Sequence, residues 1–257
     1  MRTLFGDGVA VALFLGLSCS ASAQVGNANY NGNGAAGFGG PIGDSTLNLS
    51  YDTATGVVSG SLTTGVNFSG NALVLYLDTV SGGINNTSTL ADAADGGRTA
   101  ISGLNGDGRT QVNFAPGFGA DFAISLEPGV FGGLFNLSTP SNFGFVGSVG
   151  LAGGGTGPFT FSFNVSQVGL SSASPATFSF VGSLISTTAY RSNETIGTSV
   201  TVPGTPGDTP NAGFTGSQTF ANSNTFTTFV AAPEPGSFAL AGLALVPGAI
   251  VLRRRTK

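Results

Sequence analysis

Phe159-Thr160-Phe161-Ser162-Phe163-Asn164-Val165 places a large apolar side chain at every second position, with a small polar one between. Successive side chains of a strand point to opposite faces, so this stretch reads as a strand with one buried and one wet face. Downstream, after the turn signal Ser174-Pro175, Thr177-Phe178-Ser179-Phe180 repeats the pattern. Upstream, residues 121–126 and 134–137 form short apolar runs on either side of Pro128-Gly129, and Ala72-Leu73-Val74-Leu75-Tyr76-Leu77 is apolar on both faces, as a central strand covered from both sides must be. Further back, Leu47, Leu49 and Tyr51 share one strand face, Asp52-Thr53-Ala54-Thr55-Gly56 makes a turn, and residues 58–63 return as the hairpin partner. A weaker strand is expected within 220–230.

No stretch between Gln24 and Ala232 has helical periodicity, and the Pro203, Pro206 and Pro210 segment is too proline-rich to pair centrally. The expected fold is all-β: a single antiparallel, jelly-roll-like β-sandwich of about eight to ten strands over residues 46–230. Residues 24–45, rich in Gly and Asn and without periodicity, read as a flexible arm.

Composition narrows the chemistry. Between Gln24 and Ala232, three arginines (Arg98, Arg109, Arg191) face eight Asp and two Glu, and such a surface repels phosphate backbones, so no nucleic-acid partner is expected. Histidine is absent, which removes the usual general base near neutral pH and the commonest transition-metal ligand. The one cysteine, Cys19, lies in the N-terminal apolar segment, so the body holds neither disulfide nor thiolate site. No Gly-x-Ser-x-Gly elbow appears in strand and helix context, and Glu127 and Glu194 have no spacing that marks them as a glycosidase pair. Gly150 to Gly157 lacks the lysine and helix of a phosphate loop and reads as a hairpin loop. No enzyme activity and no cofactor are expected.

Three acidic residues, Asp92, Asp95 and Asp107, with Gly96-Gly97 and Gly106, are calcium candidates, although the same residues serve ordinary solvated turns and turns are the preferred reading. Asp78, ending an apolar strand, needs a partner, and an ion pair with Arg98 or Arg109 or a turn cap would supply one.

The two ends read as addresses. Arg2, an apolar run from Val9 to Leu17 and Ala21-Ser22-Ala23 make residues 1–23 a secretory signal cut before Gln24, with acylation of Cys19 the rival reading. At the other end Pro233-Glu234-Pro235-Gly236-Ser237 precedes the uncharged run 238–252 and then Arg253-Arg254-Arg255. The prolines keep their segment extended and out of any sheet; the apolar run must be helical in lipid; the arginines fix its end in the cytoplasm. At about 1.5 Å per residue, the run is shorter than a bilayer core of roughly 30 Å, a gap that snorkelling arginines and local thinning close.

Residues 231–257 resemble the PEP-CTERM sorting domain, also catalogued as the ice-binding protein C-terminal domain. The resemblance implies processing near Pro233-Glu234-Pro235 by an exosortase-type membrane enzyme, after export through the secretion and signal peptidase machinery. It places the protein at the cell envelope, surface or extracellular matrix of a Gram-negative-type bacterium. More weakly, Leu73-Val74-Leu75-Tyr76-Leu77-Asp78-Thr79 and Gly119-Ala120-Asp121-Phe122-Ala123-Ile124 are similar to the central strands of DOMON or family-9-like carbohydrate-binding sandwiches. That resemblance implies a polysaccharide partner. The Trp residues such modules use are absent, and of Tyr51, Tyr76 and Tyr190 the first two sit at core-like positions, which leaves Tyr190 as the ligand-binding candidate.

Overall fold

The computed structural model describes residues 26–63, 70–106, 108–153, 158–172, 175, 177–202, 211–212 and 217–228. All belong to one compact unit, Ala23–Val230. The terminal segments read above as signal peptide and sorting tail lie outside the described residues, as do Asp107 and the prolines of 203–210.

The unit is all-β with antiparallel main sheets. A four-stranded sheet has the order β1 (Gly26–Asn31), β2 (Thr46–Asp52), β3 (Val57–Leu62) and β11 (Thr160–Asn164). An eight-stranded sheet runs β10 (Gly144–Ser148), β9 (Phe131–Asn136), β8 (Phe122–Glu127), β4 (Asn71–Asp78), β12 (Thr177–Ser186), β13 (Arg191–Ile196) and β15 (Asn211–Ala212), with β17 (Asn224–Thr227) on the first half of β12. A small third sheet joins β14 (Ser199–Val202), β16 (Ser217–Phe220) and β7 (Gln111–Asn113), the last pair parallel. The hairpin β5 (Leu104–Asn105) and β6 (Gly108–Arg109) completes the set.

Alternation decides which residues meet. Leu47, Leu49 and Tyr51 of β2 and Phe161 and Phe163 of β11 face Leu73, Leu75 and Leu77 of β4 and Phe178 and Phe180 of β12 across one core. The other face of β4, with Val74 and Tyr76, packs with Phe135, Val181 and Ile185 against Ile101, Val112, Phe114 and Phe220 in a second core. Thus β4 is apolar on both faces because it separates two cores, and the two large sheets enclose the first of them. Consecutive strands β1–β3 and β8–β10 remain within one sheet, unlike the alternation between sheets of a jelly roll.

The hairpin read at Asp52–Gly56 forms as expected, with Leu47 opposite Leu62 and Tyr51 opposite Val58. The Asp52 side chain accepts the Ala54 N–H at 2.8 Å and the Thr55 hydroxyl at 2.8 Å, and Gly56 takes the positive φ, +72°, that the turn requires.

Two expectations are corrected. Within the segment 24–45, read as a flexible arm, the described residues 26–45 are ordered into the body: Gly26–Asn31 pairs along its whole length with β2, and Ile42 is fully buried. A helix, α1 (Gly96–Ser102), forms where no helical periodicity is visible, closed by Asp95 at its N-cap and by Gly103 at φ +65°. Seven residues are too few to show a period, so the caps define the helix.

Three tyrosines carry the pH dependence at the alkaline end. Burial pushes the Tyr30 phenol up to about 12 and raises those of Tyr51 and Tyr76 as well. Tyr30 donates to the Thr225 carbonyl at 2.8 Å, and Tyr76 to that of Ile101 at 2.7 Å. An acid whose folded pKa is raised holds its proton more tightly when folded. Stability is therefore full below the ordinary phenol value of 10.0 and is lost as pH climbs from there toward about 12. Far-ultraviolet dichroism and phenolate absorbance followed upward from pH 9 should show ionisation of these rings coinciding with loss of the fold.

Candidate functional site

The sequence-predicted acidic cluster is brought together, but around a cation of the protein's own. Arg98 Nε lies 3.1 Å from Asp92, and Arg98 Nη1 donates to Asp95. Asp92, nearly fully buried, also accepts the Phe143 N–H at 2.7 Å and the Ala94 N–H at 3.1 Å, while Asp95 caps α1 by accepting the Arg98 N–H at 2.9 Å. Arg98 thus bridges the two carboxylates, and among the described residues no group of three or more ligating side chains could hold a metal ion. Asp92 and Asp95 are engaged by Arg98 and by backbone N–H groups; Asp107, the third candidate, lies outside the described residues.

Asp78 has neither expected arginine. Arg98 is taken, and Arg109 donates to the Thr87 carbonyl at 2.8 Å and the Ser102 carbonyl at 3.3 Å. Asp78 instead accepts the Gly119 N–H at 3.1 Å, the turn-cap alternative. Burial raises its pKa, and the nearby Asp121 adds to the effect. Asp121 in turn accepts the N–H groups of Thr79 and Val80, each at 2.9 Å. These two carboxyl groups tie the chain crossing after β4 to the start of β8.

Beside them lies an open cleft of about 530 Å³, lined by Gly82, Gly83, Ile84, Asn85, Asn86, Thr89 and Gly117 to Gly119. Its floor depends on glycine: a Cβ on Gly119 would stand 1.9 Å from the Gly82 carbonyl oxygen. The lining offers amides, a hydroxyl and peptide groups but no ionisable side chain, so it can hold a neutral polar molecule and supplies no acid or base.

Glu127 and Glu194 do not make a pair. They lie on β8 and β13, with β4 and β12 between them. Three strand spacings place their backbones roughly 14 Å apart, beyond the reach of paired glycosidase carboxyls. Glu194 is moreover committed to structure: fully buried, it accepts the N–H groups of Phe38 at 2.5 Å, Ile42 at 2.8 Å and Gly43 at 3.1 Å, and the Ser192 hydroxyl at 3.2 Å. This clasp is what holds the segment read as an arm. The sequence hint was a lone Glu among small residues near the end of a strand, which by itself does not name its partners.

Tyr190 is half-buried, and its ring stacks on Phe38 with centroids 6.0 Å apart and planes 17° apart. The structure packs this ring against Phe38. Tyr51 and Tyr76 are fully buried, as their strand positions implied. Of the loop at Gly150, residues 150–153 are described, and Ala152 and Thr160 exchange backbone hydrogen bonds of 2.8 Å, covering the outer edge of β11.

The sorting-tail residues Pro233, Glu234, Pro235, Gly236 and Arg253 to Arg255, and the cleavage-site residues Ala21, Ala23 and Gln24, lie outside the described residues. Among the described residues no helix is long and apolar enough to cross a membrane. Comparison with models of protein families, with curated proteins and with solved structures finds no match.

Proposed function

We propose that this chain is an exported bacterial protein, cut before Gln24 and sorted to the cell envelope by a PEP-CTERM-type tail over residues 231–257, and that its β-body serves a noncatalytic structural or interaction role. The order Pro233-Glu234-Pro235, uncharged run, Arg253-Arg254-Arg255 at the chain's end carries the reading. A membrane helix at 238–252 would leave the body outside and the arginines inside. Two features of the body agree with export. It contains no cysteine, and Gly26–Asn31, close behind the proposed cleavage point, is a paired strand.

Replacing Arg253, Arg254 and Arg255 together by serine should leave folding intact but missort the protein. Fractionation of an expressing bacterium that carries an exosortase-type enzyme, with mass spectrometry of the mature termini, checks this. Normal surface delivery of the variant would refute the role given to the tail.

A second reading, binding of envelope or extracellular polysaccharide by the body, is favoured by one surface feature: an exposed aromatic shelf on the β9–β10 hairpin.

A further inference from the structure

Among the described residues most large apolar side chains are buried, yet three of the four exposed ones lie close together. Val130, Phe131 and Phe145, on β9, β10 and the turn before β9, are 72%, 37% and 52% exposed. The Phe131 and Phe145 rings lie 6.5 Å apart with planes 33° apart, and both lean on the buried ring of Phe135, at 6.3 and 5.6 Å. Phe145 pairs opposite Phe135, and Phe131 opposite Glu127, so all four side chains stand on one face of the large sheet.

The rim of the shelf is polar. Arg98 lies over Phe135 at 4.8 Å from the ring centre and pairs with Asp95. Asp95 is 47% exposed. Glu127, beside Phe131, has a half-buried carboxyl group with no hydrogen-bond partner among the described residues. The α1 backbone approaches Phe131 at Gly97, where a Cβ would come within 3.5 Å of the ring.

We infer that the Phe131–Phe145 shelf is a stacking platform for a neutral glycan, with Glu127, Asp95 and Arg98 taking its hydroxyl groups. The inference rests on the polysaccharide-binding reading above and locates its site. A pyranose ring presents an apolar face of C–H bonds and a rim of hydroxyl groups. A surface combining flat rings with adjacent acceptors and donors satisfies both, because hydroxyls left unpaired on binding cost affinity. Size argues against a protein partner or a second copy: the three side chains expose on the order of 300 Å², against roughly 800 Å² per partner in a stable interface. Charge argues against a polycation, since Arg98 already covers the Phe135 face and neutralises Asp95.

The test uses the full chain in a zwitterionic, sugar-free detergent, titrated calorimetrically with neutral hexasaccharides of β-linked glucose, mannose and xylose. At least one should bind, and Phe131→Ala with Phe145→Ala should weaken it by about tenfold or more. Glu127→Gln should weaken it by a few-fold, while Tyr190→Ala and Asn85→Ala should leave it unchanged. Thermal melts of each variant establish that the fold is kept, and Phe145→Ser alone replaces the double variant should that one fail to fold. Wild-type failure with all three sugars overturns the shelf and the polysaccharide reading together. Binding that survives the shelf substitutions overturns the shelf alone. A dimer in sedimentation, or tighter binding of hexalysine, that the double variant abolishes would reassign the shelf to that occupant.

Discussion

Glu194→Ala should cost about 4 kcal/mol of stability and lower the melting temperature by roughly 12 °C. The fully buried carboxyl group is the acceptor for three backbone N–H groups, of Phe38, Ile42 and Gly43, around a loop whose Ile42 side chain is itself in the core. Truncation strands those donors where water is scarce, at about 1–3 kcal/mol each, partly recovered if water enters. Glu194→Gln keeps one carbonyl acceptor but turns an amide N–H₂ toward a donor, and should lose about half as much. Urea unfolding measures both. A loss below about 1 kcal/mol for the alanine variant would mean that the segment between β1 and β2 is held by its other contacts and not by the clasp.

Three residues earlier on the same strand, Arg191→Met should have the opposite sign, a gain of about 1–3 kcal/mol. Arg191 is fully buried, its Nη1 donates to the Ser183 hydroxyl at 2.6 Å, and its Nε and Nη2 find no hydrogen-bond partner. Burial pushes its pKa down, and the neighbouring Tyr76 phenol opposes that only in part. A desolvated cation without a carboxylate is a cost to the fold, and an apolar chain of similar length removes it. Ser183 keeps its bond to Gln218 at 2.8 Å, so the substitution leaves no new orphan there. Arg191→Lys, which keeps a charge and shortens the donor, should instead destabilise. A methionine variant less stable than the parent would show that Arg191 organises the junction between α1 and β13.

The strands legible in advance are those written in Phe, Leu and Val, by alternation in β2, β11 and β12, by apolar runs in β4, β8 and β9, and by the hairpin turn in β3, with β17 the weaker one expected within 220–230. What escaped has a physical reason in each case. In β1 the inward positions are Ala28 and Tyr30 and the outward ones Asn27, Asn29 and Asn31, so the period is present but carried by a residue with poor strand propensity. Outside, Asn48 donates to Asn27 and Asn29, a cross-strand amide ladder that local pattern does not predict. The acidic cluster was seen, and a turn cap was among the readings for Asp78, but the pairing of Arg98 with Asp92 and Asp95 was not, because Asp95 and Arg98 are joined by a helical turn too short to recognise. Phe131 and Phe145 read like any other strand aromatics. Only the position of β10, paired with β9 alone at the end of the large sheet, reveals that their rings face outward.

The Glu194 clasp also sets an order of events. Its donors and its acceptor are separated by 156 residues in the Phe38 case, so a polypeptide emerging amino end first cannot close this clasp until most of the body has emerged. Contacts of such long separation form late and slowly, and they leave the early segments extended in the meantime. On the export reading proposed above, that delay has a use: the two ends of the clasp stay apart, and the chain threadable between them, until the segment carrying Glu194 arrives.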